Sequence, residues 1–421
     1  MYRLSYLVPN LVLIVSIQKA YSPKVNWIVV LISSGIIISI GMGVRQSFGI
    51  FLQPISDVLG EGRTLFSLAI ALQNLAWGLA APIFGAMADK YGPARVCMAG
   101  GLFYMTGLLL MAGFMSPATL IVGQLLIGMA LASAGMSVAL GAVAKVAPKE
   151  KTGIALGLVT AIGSFGQFMM LPFSQALLSN FGWQIAYMAL AACVAVVTIF
   201  SLGLRIPKGQ RASTANLAKT ITAKQALSTA FKDRNYLLLT TGFFVCGLHV
   251  AFIATHLPTY ITDIGLTPTT GSWALALVGL FNIIGSFTAG YLGGKYSKKN
   301  LLAGIYILRS LVIALFVFMP PSTAMALFFG SAIGLLWLGT IPLTSGLVMV
   351  FFGAKHVTML YGMVFLSHQI GSFFGAWYAG YVYDIFGSYQ TMWSIAIAAG
   401  LFAGAINFSI RIPSPKAPAV A

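Results

Sequence analysis

The sequence predicts an all-α integral membrane protein, with 12 transmembrane helices arranged as two six-helix repeats. Three observations carry that prediction. Hydrophobic residues make up 59% of the chain and charged ones 7%, with a mean hydropathy of +0.92; a soluble domain carries about 25% charged residues. The apolar residues gather in twelve continuous runs, and nearly all the charges fall between them. A short charged turn from Gly85 to Arg95 (GAMADKYGPAR) has a weaker copy 205 positions later, from Gly290 to Lys299 (GYLGGKYSKK). There Gly290, Lys295 and Tyr296 repeat Gly85, Lys90 and Tyr91.

Taken in order, residues 1–25 read as a cytoplasmic N-terminal segment. The apolar stretch from Leu7 to Ile17 is interrupted by Pro9, is shorter than the ~20 residues a span needs, and is followed by no small-x-small cleavage site. A start assigned too early would account for it equally well. The twelve runs follow at about 26–52, 64–87, 96–115, 118–144, 154–178, 184–204, 236–260, 271–293, 301–319, 323–352, 358–383 and 391–410. In hydrocarbon every backbone N–H and C=O must be satisfied internally, so spans are helices or a closed barrel. Continuous apolarity without alternation selects helices. Residues 26–204 thus form an N-terminal six-helix bundle and 236–410 a C-terminal one. Between them, 205–235 is a basic cytoplasmic linker with the single acid Asp233, and 411–421 is a cytoplasmic tail.

Charge sets the orientation. With the N-terminus in the cytoplasm, all of the 24 Lys and Arg residues except Arg45, Arg63 and Arg309 lie on that side, as the positive-inside rule requires. Asp57, Glu61, Asp263 and Asp384 sit at or near the opposite ends of the spans. The formal net charge of +17 is therefore a topology signal and excludes a nucleic-acid footprint. Cys97, Cys193 and Cys246 each fall inside an apolar run and read as packed thiols.

Twelve helices in two halves, with a charged turn between helices 2 and 3 and its degraded copy between helices 8 and 9, resemble the major facilitator superfamily. The turn matches that family's signature, G-x-x-x-D-R/K-x-G-x-R/K-R/K, at Gly85, Asp89, Lys90, Gly92 and Arg95, while Pro93 and Ala94 depart from it. Three further stretches resemble the monocarboxylate and oxalate/formate transporter branch. They are Gly43–Phe51 (GVRQSFGIF) in helix 1, Ser367–Gly375 (SHQIGSFFG) in helix 11, and Gly380, Asp384, Gly387 and Tyr389 as a G-x-x-x-D-x-x-G-x-Y ending. The resemblance implies the major facilitator fold and a carrier that works as a monomer. It also implies a plasma (inner) membrane location with both termini cytoplasmic, and a signature loop acting as a conformational latch. Gln124 stands where proton-linked drug exporters of the family carry an arginine, and Gly163 is followed by Ser164 where they carry a glycine–proline pair. The helix 8 run has no charge, unlike that of eukaryotic monocarboxylate carriers.

Arg45 is the first candidate for substrate binding. A charge inside a span costs ~2.5–3.5 kcal/mol on insertion scales and marks function by default. A guanidinium also pairs with a carboxylate through two parallel hydrogen bonds. The competing reading has Arg45 reaching the outer headgroups, or pairing with Asp57 or Glu61. Arg309, near mid-span in helix 9, is expected to hold a buried network or cap a neighbouring helix. His368 in helix 11, with Tyr361 and Ser372 on its face, and His249 in helix 7 lie deep in the bundle. They are candidates for hydrogen-bonding a carboxylate or relaying a proton, against the alternative of satisfied core histidines. His256 and His356 fall near span ends and read as interfacial. Gln73, Asn74, Gln124, Gln167 and Asn282 are amides in apolar runs, suited to a polar ligand or to joining helices.

The chain shows no catalytic constellation, metal-ligand spacing or cofactor motif, so it is not expected to be an enzyme. The reading is a secondary active transporter of small organic anions, mono- or dicarboxylates, working by alternating access with proton coupling or anion exchange. The alternative is a carrier of larger compounds, such as drugs or siderophores. A non-transporting membrane sensor is disfavoured by the intact first loop.

Overall fold

The computed structural model describes residues 25–206, 223–353 and 357–412. Most of the N-terminal segment, the middle of the linker, His356 and most of the C-terminal tail lie outside the described residues.

The first half opens with α1 (Trp27–Leu59), where the Asn26 side chain accepts a hydrogen bond from the Ile28 N–H at 3.0 Å, satisfying one donor of the first turn. Mid-way it tightens into a 3-10 segment, Ser47–Phe51. α2 (Arg63–Tyr91) ends at Gly92, whose φ is 94°, and Pro93 opens α3 (Pro93–Gly113). A residue without Cβ makes the reversal, and one without an N–H starts the next helix at no loss. α4 (Pro117–Val146) starts from a Ser116–Thr119 capping box and is interrupted at Gly135. The helix over Thr152–Phe200 doubles back at Gly182, at φ 78° and ψ 171°, and so supplies both α5 (152–181) and α6 (183–200).

A short helix, Ala223–Ala230, precedes the second half. This contains α7 (Arg234–Asp263), α8 (Pro268–Lys295), α9 (Lys298–Phe318), α10 (Thr323–Phe352), α11 (Val357–Phe386) and α12 (Gln390–Phe408). Among the described residues ten helices are long and apolar enough to cross a bilayer. One of them folds back at Gly182, and the 30-residue α11 adds the twelfth pass. α10 is broken between Leu335 and Thr340. Gly135 and Thr340 are separated by the same 205 positions as the two charged turns, so both halves break their fourth helix at an equivalent place.

Packing repeats as well. α1 lies against α5, α2 against α4 and α3 against α6; α7 lies against α11, α8 against α10 and α9 against α12. Two contacts join the halves along their length, α2 with α11 and α5 with α8. They close toward the face carrying Arg63, Asp263 and Asp384. A Cβ on Gly49 would stand 2.3 Å from the Ala254 carbonyl oxygen of α7, so this crossing needs glycine. Toward the face carrying Asp89, glycines of the same helices are uncovered. Gly78 is pressed on Gln369 and Gly279 on Gln167, yet a Cβ on Gly85, Gly153, Gly290 or Gly362 would meet nothing within 4 Å. The molecule is closed at the Arg63 face.

Candidate functional site

Arg45 stands in the last turn of the regular part of α1, where the helix carbonyls favour a cation. Its Nη2 donates to Asn74 Oδ1 at 2.7 Å, and the Asn74 amide is held in that orientation by donating to the Ile70 carbonyl at 2.8 Å. The guanidinium lies over the Trp77 ring, 5.1 Å from its centroid. Its Nε has no partner, and the side chain is partly exposed. Asp57 and Glu61 are not its partners, and it does not run out to the span end. The cation is thus held by a neutral amide and an aromatic face, with donors to spare.

From Arg45 an aromatic path leads into the second half. Trp77 meets Phe365 edge-on at 5.5 Å, and Phe365 stacks on His368 at 5.9 Å. Phe243 packs on both His368 and Tyr361, at 4.9 and 6.2 Å. His368 Nδ1 lies 3.1 Å from Gln369 Oε1 and 3.5 Å from the Ser372 hydroxyl. The Gln369 Nε2 group is buried without a partner. The structure therefore brings Arg45, Asn74, Tyr361 and His368 onto the two sides of the central contact between α1–α2 and α11.

The remaining candidates lie behind that contact. Gln73 donates to Gln124 at 2.9 Å, both buried between α2 and α4. Gln167 is buried on α5 against Gly279 of α8. His249 faces away, with Nε2 on the Ala396 carbonyl of α12 at 2.8 Å. Asn282 donates to the Ser164 hydroxyl at 3.0 Å and accepts from Ser286 and from the Leu338 N–H, at 2.9 and 3.1 Å. It ties α8 to α5 and to the break in α10. Arg309 is fully buried and donates to the Leu336 and Trp337 carbonyls at 2.5 and 2.6 Å, with Cys246 Sγ at 3.6 Å. It caps the carbonyls that the broken α10 leaves without helical partners.

At the Arg63 face the structure shows a latch that the sequence reading passed over. Arg63 forms a forked pair with Asp263, Nη1 to Oδ2 at 2.6 Å and Nη2 to Oδ1 at 2.8 Å. It also donates to Gln53 Oε1 at 3.1 and 2.8 Å and to the Tyr389 hydroxyl at 3.1 Å, and it lies 3.5 Å over the Tyr383 ring. Asp384 caps a helix of the opposite half: its carboxylate accepts from the Arg63 and Thr64 N–H groups at 2.9 and 2.8 Å. Every marked residue of the helix 11 ending takes part. Gly380 lets α11 touch Ser67 of α2, Gly387 turns the chain with φ 65°, and Tyr389 binds both Arg63 and His256. His256, expected at the interface with lipid headgroups, is fully buried here because α2 and α11 close over it. A lone cation among four acids at one face was the available signal.

At the other face, Asp89 accepts from Lys145 Nζ, at the end of α4, at 2.5 Å. Lys90 lies 5.0 Å from the Tyr91 ring centroid. Gly92 makes the turn, and Arg95 lines a cavity of about 670 Å³ with Asn26 and Arg205.

The fold has solved counterparts. The fucose:proton symporter FucP of E. coli superposes with a TM-score of 0.59 over 91% of this chain and 99% of its own, at 17% identity. The sequence profile of the Major Facilitator Superfamily matches residues 31–376 and, in a second match, 254–421. The chain belongs to the Major Facilitator Superfamily. Within it, the chain is 25% identical to monocarboxylate transporter 13 of Rattus norvegicus over 402 residues, covering 90% of this chain and 87% of that one. It is 23% identical to the oxalate:formate antiporter of Oxalobacter formigenes over 339 residues, 79% of each. As a Major Facilitator protein it is a multi-pass membrane transporter of small molecules and not an enzyme.

Proposed function

We propose that this transporter carries small organic anions, mono- or dicarboxylates, between its two halves by alternating access. One observation carries the reading: Arg45 is a membrane-embedded cation whose hydrogen-bond partner is a neutral amide. All seven acidic residues stand at span ends, so no carboxylate inside the bundle compensates it. A guanidinium with unused donors is completed by a carboxylate in a two-bond fork. Asn74 and Trp77 orient it, and His368 with Gln369 offers hydrogen-bonding groups across the contact. The two relatives named for monocarboxylate and for oxalate and formate support the same cargo.

In this reading the Asp89 face is cytoplasmic, as the placement of Lys and Arg requires, and the Arg63 face is external. The protein then rests open to the cytoplasm of a bacterial cell, in its inner membrane, with both termini inside, and acts as a monomer. Anion entry is balanced by a proton or by an anion leaving. Uptake of labelled mono- and dicarboxylates into proteoliposomes tests the cargo. At substrate concentrations below KM, Arg45→Ala is expected to cut uptake by about 10–100-fold and Arg45→Lys to retain more of it; full uptake by Arg45→Ala would overturn the assignment. Dependence on an imposed pH gradient, against dependence on internal anion, separates proton coupling from exchange.

A further inference from the structure

We propose that His256 is a proton-binding site that controls the Arg63 latch: protonation of its free ring nitrogen releases the closed face. The inference rests on alternating access and not on the identity of the cargo.

The geometry sets the protonation state of the closed form. His256 Nε2 lies 2.8 Å from the Ala376 carbonyl oxygen, which can only accept, so Nε2 carries the hydrogen. Nδ1 is then the bare nitrogen, and it lies 2.9 Å from the Tyr389 hydroxyl, which donates to it. The Tyr389 oxygen in turn accepts from Arg63 Nη1, which also bonds Asp263. Burial raises the Tyr389 phenol above its ordinary pKa, so it remains an O–H donor. Donation therefore runs in one direction from Arg63 to Tyr389 to His256 to the Ala376 carbonyl, and Arg63 is anchored by donating on its other side to Asp263.

A proton on Nδ1 reverses one link. Both ring nitrogens become donors, and the Tyr389 O–H has lost its acceptor. Its oxygen then faces two donors, Arg63 and the ring, while its hydrogen is left without the acceptor it had. The new imidazolium also stands near the Arg63 guanidinium, with like charge. Other charged and titratable groups around the His256–Tyr389 pair are Asp384 and Tyr383 from α11 and Tyr260 with Asp263 from the helix of His256. Asp384 is already committed to the Arg63 and Thr64 N–H groups, and Asp263 to Arg63. Neither is free to turn and hydrogen-bond the charged ring while the latch is shut. Opened to water, the ring takes a proton without this conflict.

Position singles out His256. Its ring lies against Ser67 of α2, at 3.5 Å, as well as against α11 and the α11–α12 turn, so it spans both halves. The bonds of His249 and His368 stay within the second half. By linkage, if protonation favours opening, then opening raises the affinity for the proton. The sign is that lower pH at the Arg63 face populates the open latch.

Double electron–electron resonance in liposomes tests this, with spin labels on Glu61→Cys and Ser388→Cys in a Cys193→Ser background. Both label sites are exposed and lie on opposite halves. In the otherwise unsubstituted protein the ratio of open to closed is expected to rise as pH falls from about 8 to about 5, the range in which histidine titrates. The slope should approach tenfold per pH unit for one proton. His256→Gln is expected to flatten that slope. Tyr389→Phe, which cuts the chain while leaving Arg63 on Asp263, should flatten it too, and reads the same quantity if His256→Gln does not fold. An unsubstituted protein insensitive to pH, or either variant keeping the full slope, would overturn the proposal. A failed carboxylate assignment would leave these distances unchanged.

Discussion

Arg45 and Arg309 are both guanidiniums in apolar surroundings, yet their partners give them different roles. Arg309 has two carbonyls within 2.6 Å and no exposure, so its donors serve the broken α10. Removing it leaves the Leu336 and Trp337 carbonyls buried and unpaired, at ~1–3 kcal/mol each. Arg309→Met should therefore lower the melting temperature and the yield of folded protein, measured by thermal unfolding in detergent. Arg45 has one amide partner and is partly exposed, so its loss should scarcely disturb folding. Charged hydrogen bonds contribute ~1.5–3 kcal/mol, so Arg45→Ala should weaken anion affinity by about 10–100-fold with the melting temperature nearly unchanged. A melting temperature that falls as far as in Arg309→Met would make Arg45 structural instead. The sequence placed both residues inside spans, but their distances to carbonyls, which separate the two roles, depend on how α9 packs on α10.

At the scale of helices, function collects where regular structure stops. α4 breaks at Gly135 and α10 between Leu335 and Thr340, while α1 tightens at Ser47–Phe51 just after Arg45. Carbonyls and N–H groups freed at such breaks need partners, and Arg309 and Asn282 provide them in α10. The ending of α11 works likewise. Asp384 replaces the missing side-chain cap of α2, whose N-cap Gly62 has none. A cap of this kind contributes ~1 kcal/mol, here between halves and only in the closed state. Asp384→Asn is therefore expected to shift the population toward the state open at the Arg63 face, read as increased labelling of a cysteine at Thr64. Unchanged labelling would show that Asp384 does not hold the latch. The residues of this ending were legible as a resemblance; that they meet Arg63 was not, since more than 300 positions separate them.

For the whole molecule, the two faces carry unlike devices. The Arg63 latch joins the halves, whereas Asp89 and Lys145 both belong to the first half and join α2 to α4. Their side chains are 54% and 21% exposed, and an ion pair so exposed contributes little to stability. Its effect should lie in the ease of changing state. Asp89→Asn and Lys145→Gln are each expected to slow transport while leaving KM within about twofold, and the double variant should be no slower than the single ones. A large rise in KM would place the pair in the binding site instead. The second half carries Gly294 where the first has Asp89, so no equivalent carboxylate stands at that position.

The sequence by itself determined the bilayer as solvent, the twelve passes, the duplication and the family. Hydropathy, charge placement and the spacing of turn residues are local properties, and a chain in hydrocarbon has few ways to satisfy them. It also marked the turn from Gly85 to Arg95 and the residues Arg45, Asn74 and His368. Only the tertiary structure decided which of these meet. It turned Arg63 from a lone exception in the charge count into the centre of a latch. It also moved His256 from the headgroup layer into a closed hydrogen-bonded chain and assigned Asp89 its partner Lys145. Those outcomes depend on docking one half against the other, an arrangement set by close contacts at positions such as Gly49 and Gly380. No pattern within a single helix encodes it.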